Sequence, residues 1–139
     1  MITSNECLAR YGHPESEKHM SLWTVPIGLQ IPVIPKKIYC NNDLITPLTK
    51  AFKNIIDRKM TTQIRTWDGC FNIRAKKGGL SPSLHSWGLA VDINAAWNGF
   101  DKPSTMSAEL VKCFTDAGFD WGGVWQKIDA MHFQLARLP

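Results

Sequence analysis

The chain has 139 residues, 44% hydrophobic and 20% charged, which suits one domain with a single core and leaves little room for a second. Sixteen basic against twelve acidic side chains give a formal net charge of +4 and a pI near 9.0, a balance that favours polyanionic surroundings; no nucleic-acid motif accompanies it, so an anionic cell wall or outer-membrane surface suits it as well and no nucleic-acid partner is expected. No run of eighteen apolar residues exists to span a membrane, and the opening Met1-Ile2-Thr3-Ser4-Asn5-Glu6 lacks the basic and apolar regions of a secretory signal, so the expectation is a protein made and kept soluble in a cytoplasm, as a monomer.

Residues 1–40 read as an extended arm packed on the domain that fills the whole of 1–139. Tyr11-Gly12-His13-Pro14 forms a turn, and Pro26, Pro32 and Pro35 interrupt an apolar stretch that would otherwise pass for strand. Trp23, Val25, Ile27, Ile31 and Val33 are its expected anchors, and His13 and His19 are read as surface residues. Four widely spaced cysteines, Cys7, Cys40, Cys70 and Cys113, form no C-x-x-C pair and read as buried thiols.

After a turn at Asn41-Asn42-Asp43, Thr46 and Pro47 supply a helix start. Leu48, Ala51, Phe52, Ile55 and Ile56 then recur at helical spacing and give the helix a core-facing side. Thr61 to Trp67 predicts a strand ended by Asp68-Gly69, followed by a basic loop from Cys70 to Pro82. Residues 89–93 predict the next strand, and Ser107 caps a second helix that runs to about Ala117, with Gly118 closing it. Phe119 to Trp125 and Met131 to Ala136 read as a β-hairpin in which His132 and Gln134 share a face. The sum is an α+β fold, a small antiparallel sheet flanked by two or three helices.

The chemistry concentrates in two segments. His85 and Asp92, in Ser83-Leu84-His85-Ser86-Trp87-Gly88-Leu89-Ala90-Val91-Asp92, offer an imidazole and a carboxylate, the donors a borderline cation takes. The best third ligand is His132, which follows a spare acid, Asp129, by three positions. A metal site beside a free carboxylate is what hydrolysis needs: the cation lowers the pKa of water and the acid carries the proton. Against this stands the bland reading of two core histidines, a strand-end aspartate and a turn aspartate.

The pattern S-x-H-x-x-G-x-A-x-D, here Ser83, His85, Gly88, Ala90 and Asp92, followed by D-x-x-H, here Asp129 and His132, resembles the zinc D,D-carboxypeptidase and L-alanyl-D-glutamate endopeptidase family. That family includes the vancomycin-resistance D,D-peptidases and many phage endolysins, and hedgehog-type domains share its fold. The resemblance runs from about Thr62 to Leu135. It implies Zn²⁺ on His85, Asp92 and His132, Asp129 as general base where many relatives carry glutamate, and a peptidoglycan stem peptide as substrate. It also implies an arginine upstream of the histidine motif, which Arg74 fits better than Arg65, to face the oxyanion of amide hydrolysis. Ser83 is expected to bond substrate or a ligand, and Trp87 and Trp125 to line the cleft.

With no secretory signal read, the favoured relative is a single-domain endolysin of a phage infecting a Gram-negative host, made in the host cytoplasm and acting on the wall after release. The expected bond is L-alanyl-D-glutamate, with D-alanyl-D-alanine as the alternative. A non-catalytic zinc-stabilised binding module is the rival from another class, and a serine hydrolase on Ser83 is disfavoured because no G-x-S-x-G elbow is present.

Overall fold

In the computed structural model, which describes residues 1–139, the first forty residues are not an extended arm. Helix α1 (Ser4–Tyr11) is fixed by a capping box: the Thr3 hydroxyl accepts from the Glu6 amide at 3.1 Å, and the Glu6 carboxylate accepts from the Thr3 amide at 2.9 Å. Strands β1 (Met20–Thr24) and β2 (Lys37–Asn41) then pair antiparallel. The prolines lie in the loop between them, outside the ladder, where a missing N–H costs nothing. Of the expected anchors, Val25 and Ile31 are buried and Trp23 stacks on Phe52. Ile27 and Val33 are exposed instead, because this loop curls through a 3₁₀ turn (Ile27–Leu29) and a left-handed Val33 (φ 70°) rather than running straight.

Asn41, not Thr46, opens the long helix. Its side-chain oxygen accepts from the Asp43 amide at 2.9 Å and starts a 3₁₀ turn (Asn42–Leu44) that continues directly into α2 (Ile45–Asp57). Thr46 and Pro47 fall inside the first turn, where amides need no partner within the helix. Leu48, Ala51, Phe52 and Ile55 are buried, as the spacing predicts.

The strand expected over 61–67 is a second correction. Thr61–Gln63 is a 3₁₀ turn, and strand β3 spans only Trp67–Gly69. The buried Asn94 accounts for the difference: its oxygen accepts from the amides of Arg65 and Thr66 at 2.7 and 3.2 Å, and its nitrogen donates to the Gln63 carbonyl at 2.8 Å. A side chain has taken the backbone partners that a strand would have used.

Strand β4 (Ala90–Ile93), helix α3 (Ala108–Thr115) and strands β5 (Phe119–Trp121) and β6 (His132–Leu135) complete the fold. Ser107 caps α3 by accepting from the Leu110 amide at 3.1 Å. The four-stranded sheet has the order β3-β4-β6-β5, antiparallel throughout, and β1 with β2 forms a separate two-stranded sheet. One hydrophobic core of 28 residues extends from Ile2 to Leu135 and joins both sheets to the helices. The α+β architecture is therefore the expected one. All four cysteines are buried and free, and burial pushes the Cys7 and Cys40 thiols up to about 12 and Cys70 well above its usual value, which leaves them inert.

Candidate metal centre

His85 stands on a 3₁₀ turn (Leu84–Trp87) whose first amides are capped by Ser83, the hydroxyl accepting from the His85 amide at 3.3 Å. Gly88 ends that turn at φ 66° and lets the chain re-enter as β4. A Cβ at this position would lie 2.5 Å from Met20 Cε and 2.7 Å from the Asn41 amide nitrogen, so the turn needs glycine for both conformation and space. In β4, Asp92 is the direct antiparallel partner of His132 in β6, which brings the two side chains together across the ladder.

Three donor atoms converge. His85 Nε2 is 3.1 Å from Asp92 Oδ1, His132 Nδ1 is 3.3 Å from the same oxygen, and the two nitrogens are 3.2 Å apart. The other ring nitrogens define the tautomers. His85 Nδ1 sits 2.6 Å from the Cys70 carbonyl and His132 Nε2 sits 2.9 Å from Gln134 Oε1. Each must donate its N–H there, because a carbonyl oxygen only accepts. In the neutral rings the inward nitrogens then present lone pairs to a carboxylate oxygen that is itself buried without a hydrogen-bond partner.

Three buried acceptors facing one another can be satisfied by a cation held between them. Donors about 2.0–2.2 Å from a tetrahedral ion lie roughly 3.3–3.5 Å apart, close to the observed spacings, so the residues fit a borderline divalent metal. His85, Asp92 and His132 are all buried, and three protein ligands leave room for a fourth, exchangeable one.

Asp129 lies beside this cluster. Its Oδ2 is 4.0 Å from His132 Nδ1, and its Oδ1 is 3.2 Å from Lys77 Nζ. Its backbone is held at both ends, the Asp129 amide donating to the Gly122 carbonyl and the His132 amide donating to the Asp129 carbonyl. Gly122 is what permits this: a Cβ there would meet the Asp129 carbonyl oxygen at 2.3 Å. Gly122→Ala should therefore cost about 1–3 kcal/mol in a denaturant titration and move the acid away from the cluster. Undiminished stability would show that the loop yields freely.

Arg74 reaches the same place, its guanidinium 3.8 Å from Asp92 Oδ2. The Ser86 hydroxyl clamps its backbone, accepting from the Arg74 amide at 3.1 Å and donating to the Arg74 carbonyl at 3.0 Å. Arg65 instead lies over the Trp97 ring, 4.5 Å from its centroid, and lines a different hollow. A cavity of about 240 Å³ opens on the site, lined by Arg74, Lys77, Ser83, Trp125, Asp129 and His132 among others. Trp125 places its ring 5.3 Å from that of His132. Trp87 does not line this cavity; it is buried, and its indole N–H donates to the Gly12 carbonyl at 2.8 Å, tying the metal turn to the end of α1.

Four contributors were not anticipated: Lys77, Gln134, Ser86 and the Cys70 carbonyl. Gln134 carried a signal, since it shares a strand face with His132 and a metal-bound imidazole needs an outer partner. The other three depend on a loop packing across from another segment, which no local pattern reveals.

Two ring nitrogens, a buried carboxylate, an adjacent acid and an arginine are together the parts of a metal-dependent hydrolase. Residues 76–135, which contain His85, Asp92, Asp129 and His132, match the model of a family described as D-alanyl-D-alanine carboxypeptidase, and that match supports a peptidase. No curated protein and no solved structure matches the chain.

Proposed function

We propose that this chain is a zinc-dependent peptidase acting on peptidoglycan stem peptides, and that in the single-domain phage endolysins it resembles lies the best guide to its role. The observation that carries the reading is the convergence of three potential ligand atoms from His85, Asp92 and His132 next to Asp129. Zinc held by those three would lower the pKa of a water in its open position and polarise a peptide carbonyl.

The remaining work falls to this chain's own groups. Asp129 takes the proton from the attacking water and delivers it to the departing amine, one carboxylate serving as base and then acid. The Arg74 guanidinium faces the oxygen on which negative charge develops and stabilises it. Gln134 and the Cys70 carbonyl keep the imidazoles in the metal-binding tautomers. Trp125 walls the cavity and limits water.

On this reading the bond cut is L-alanyl-D-glutamate, and the protein is made in a host cytoplasm and meets the wall after release. D-alanyl-D-alanine is the second reading, favoured by the description of the matching family. Digestion of purified peptidoglycan, read by mass spectrometry, separates them: the first frees the stem from its L-alanine, the second releases single D-alanine residues. Wall left intact by zinc-loaded protein would overturn both and return the chain to the binding-module class.

A further inference from the structure

Lys77 is a half-buried cation that the mechanism above does not use. Its ammonium carries three N–H donors. One meets Asp129 Oδ1 at 3.2 Å and another lies against Met131 Sδ at 3.3 Å, while the side chain remains 29% exposed toward the cavity over Phe100. A donor is left for something that enters.

The cavity around it is strongly cationic. Arg74, Lys76, Lys77 and Lys127 line it, and Asp129 is the one carboxylate among the lining residues. Arg74 already faces Asp92 and Lys77 faces Asp129, while Lys76 and Lys127 have no acidic partner. Two positive charges thus remain uncompensated at the rim of a small cavity, an arrangement that favours an anionic group inside it.

Position narrows which group. If Asp129 hands its proton to the departing amine, that nitrogen comes next to Asp129, and Lys77 is bonded to the same carboxylate. A substituent on the carbon bearing the nitrogen therefore falls within reach of Lys77. We infer that Lys77, with Lys76 and Lys127 behind it, binds a free carboxylate on the residue that leaves, so the preferred substrate is a peptide whose scissile nitrogen belongs to an α-amino acid with an unmodified α-carboxylate. The inference rests on the peptidase reading. It covers both candidate bonds, because D-glutamate in the stem and a terminal D-alanine each carry that carboxylate.

The test compares matched peptides with zinc-loaded protein: an L-alanyl-D-glutamyl stem peptide against its D-isoglutamine counterpart, and a D-alanyl-D-alanine peptide against its terminal carboxamide. Whichever pair is cut, the carboxylate form should be favoured by about tenfold or more, chiefly through KM. Lys77→Met should erase the preference without lowering metal content or the thermal midpoint, and Lys77→Arg should retain most of it. A wild-type protein indifferent to the carboxylate, or a preference that persists in Lys77→Met, would overturn the assignment. If neither pair is cut, the peptidase reading fails, and calorimetric binding of the same peptides decides the subsite separately: tighter carboxylate binding lost in Lys77→Met upholds it, and equal binding of both forms rejects it.

Discussion

Asparagine at position 129 should leave fold and metal content intact and reduce turnover by about 10²–10⁴-fold, the range lost with a positioned proton carrier. The substitution keeps the shape of the side chain and its carbonyl oxygen can still face Lys77, 3.2 Å away in the native protein. It removes the ability to take and return a proton. The comparison that matters is kcat beside bound metal measured by elemental analysis. Native rates in Asp129→Asn would take the residue out of the reaction, and loss of metal together with rate would make it a ligand instead of a base. Its 4.0 Å separation from His132 Nδ1, longer than the 3.1–3.3 Å spacings inside the cluster, argues for the base.

His85→Ala should go further and abolish both metal binding and activity. It takes away one of three donors and leaves the Cys70 carbonyl, now bonded to His85 Nδ1 at 2.6 Å, buried without its donor. An orphaned acceptor of that kind costs about 1–3 kcal/mol, and the metal's own contribution to folding is lost as well. At roughly 3–5 °C per kcal/mol for a chain of this size, the melting midpoint should fall by at least several degrees. Chelator should depress the wild-type midpoint and activity together, with added zinc restoring both, and should leave the melting of His85→Ala unchanged. Wild-type protein equally stable and active in excess chelator would exclude the metal reading.

Elements with a local cause could be read from the sequence. The cap at Ser107 and the apolar spacing from Leu48 to Ile55 each specify their helices within a few residues, and the alternation that set His132 and Gln134 on one face survives in β6. Helix α1 was equally legible, since Thr3 and Glu6 form a capping box in plain view, but the turn residues that follow drew the reading toward an irregular arm. The segment 61–66 was not legible, because its amides are satisfied by Asn94, some thirty positions on. At the site, residue identities pointed to His85, Asp92, His132 and Asp129, whose motifs are short and ordered. Trp87 could not be placed that way: whether an indole faces a cleft or a helix depends on what packs against it, here the Gly12 carbonyl. Lys77 was hidden for the same reason, since in the sequence it looks like one more solvated charge in a basic loop.

The pairing of Asp92 with His132 across β4 and β6 has a consequence for how this chain tolerates change. Because alternate strand residues face opposite sides, inserting or deleting a single residue within 90–93 or 132–135 would swing one donor to the far surface and leave the other behind. The stretch between β5 and β6 carries no such parity constraint except where Gly122 meets Asp129. Length variation among homologous chains should therefore be purged from the two central strands sooner than from the 123–128 stretch, where only the placement of Trp125 and Lys127 on the cavity wall limits it.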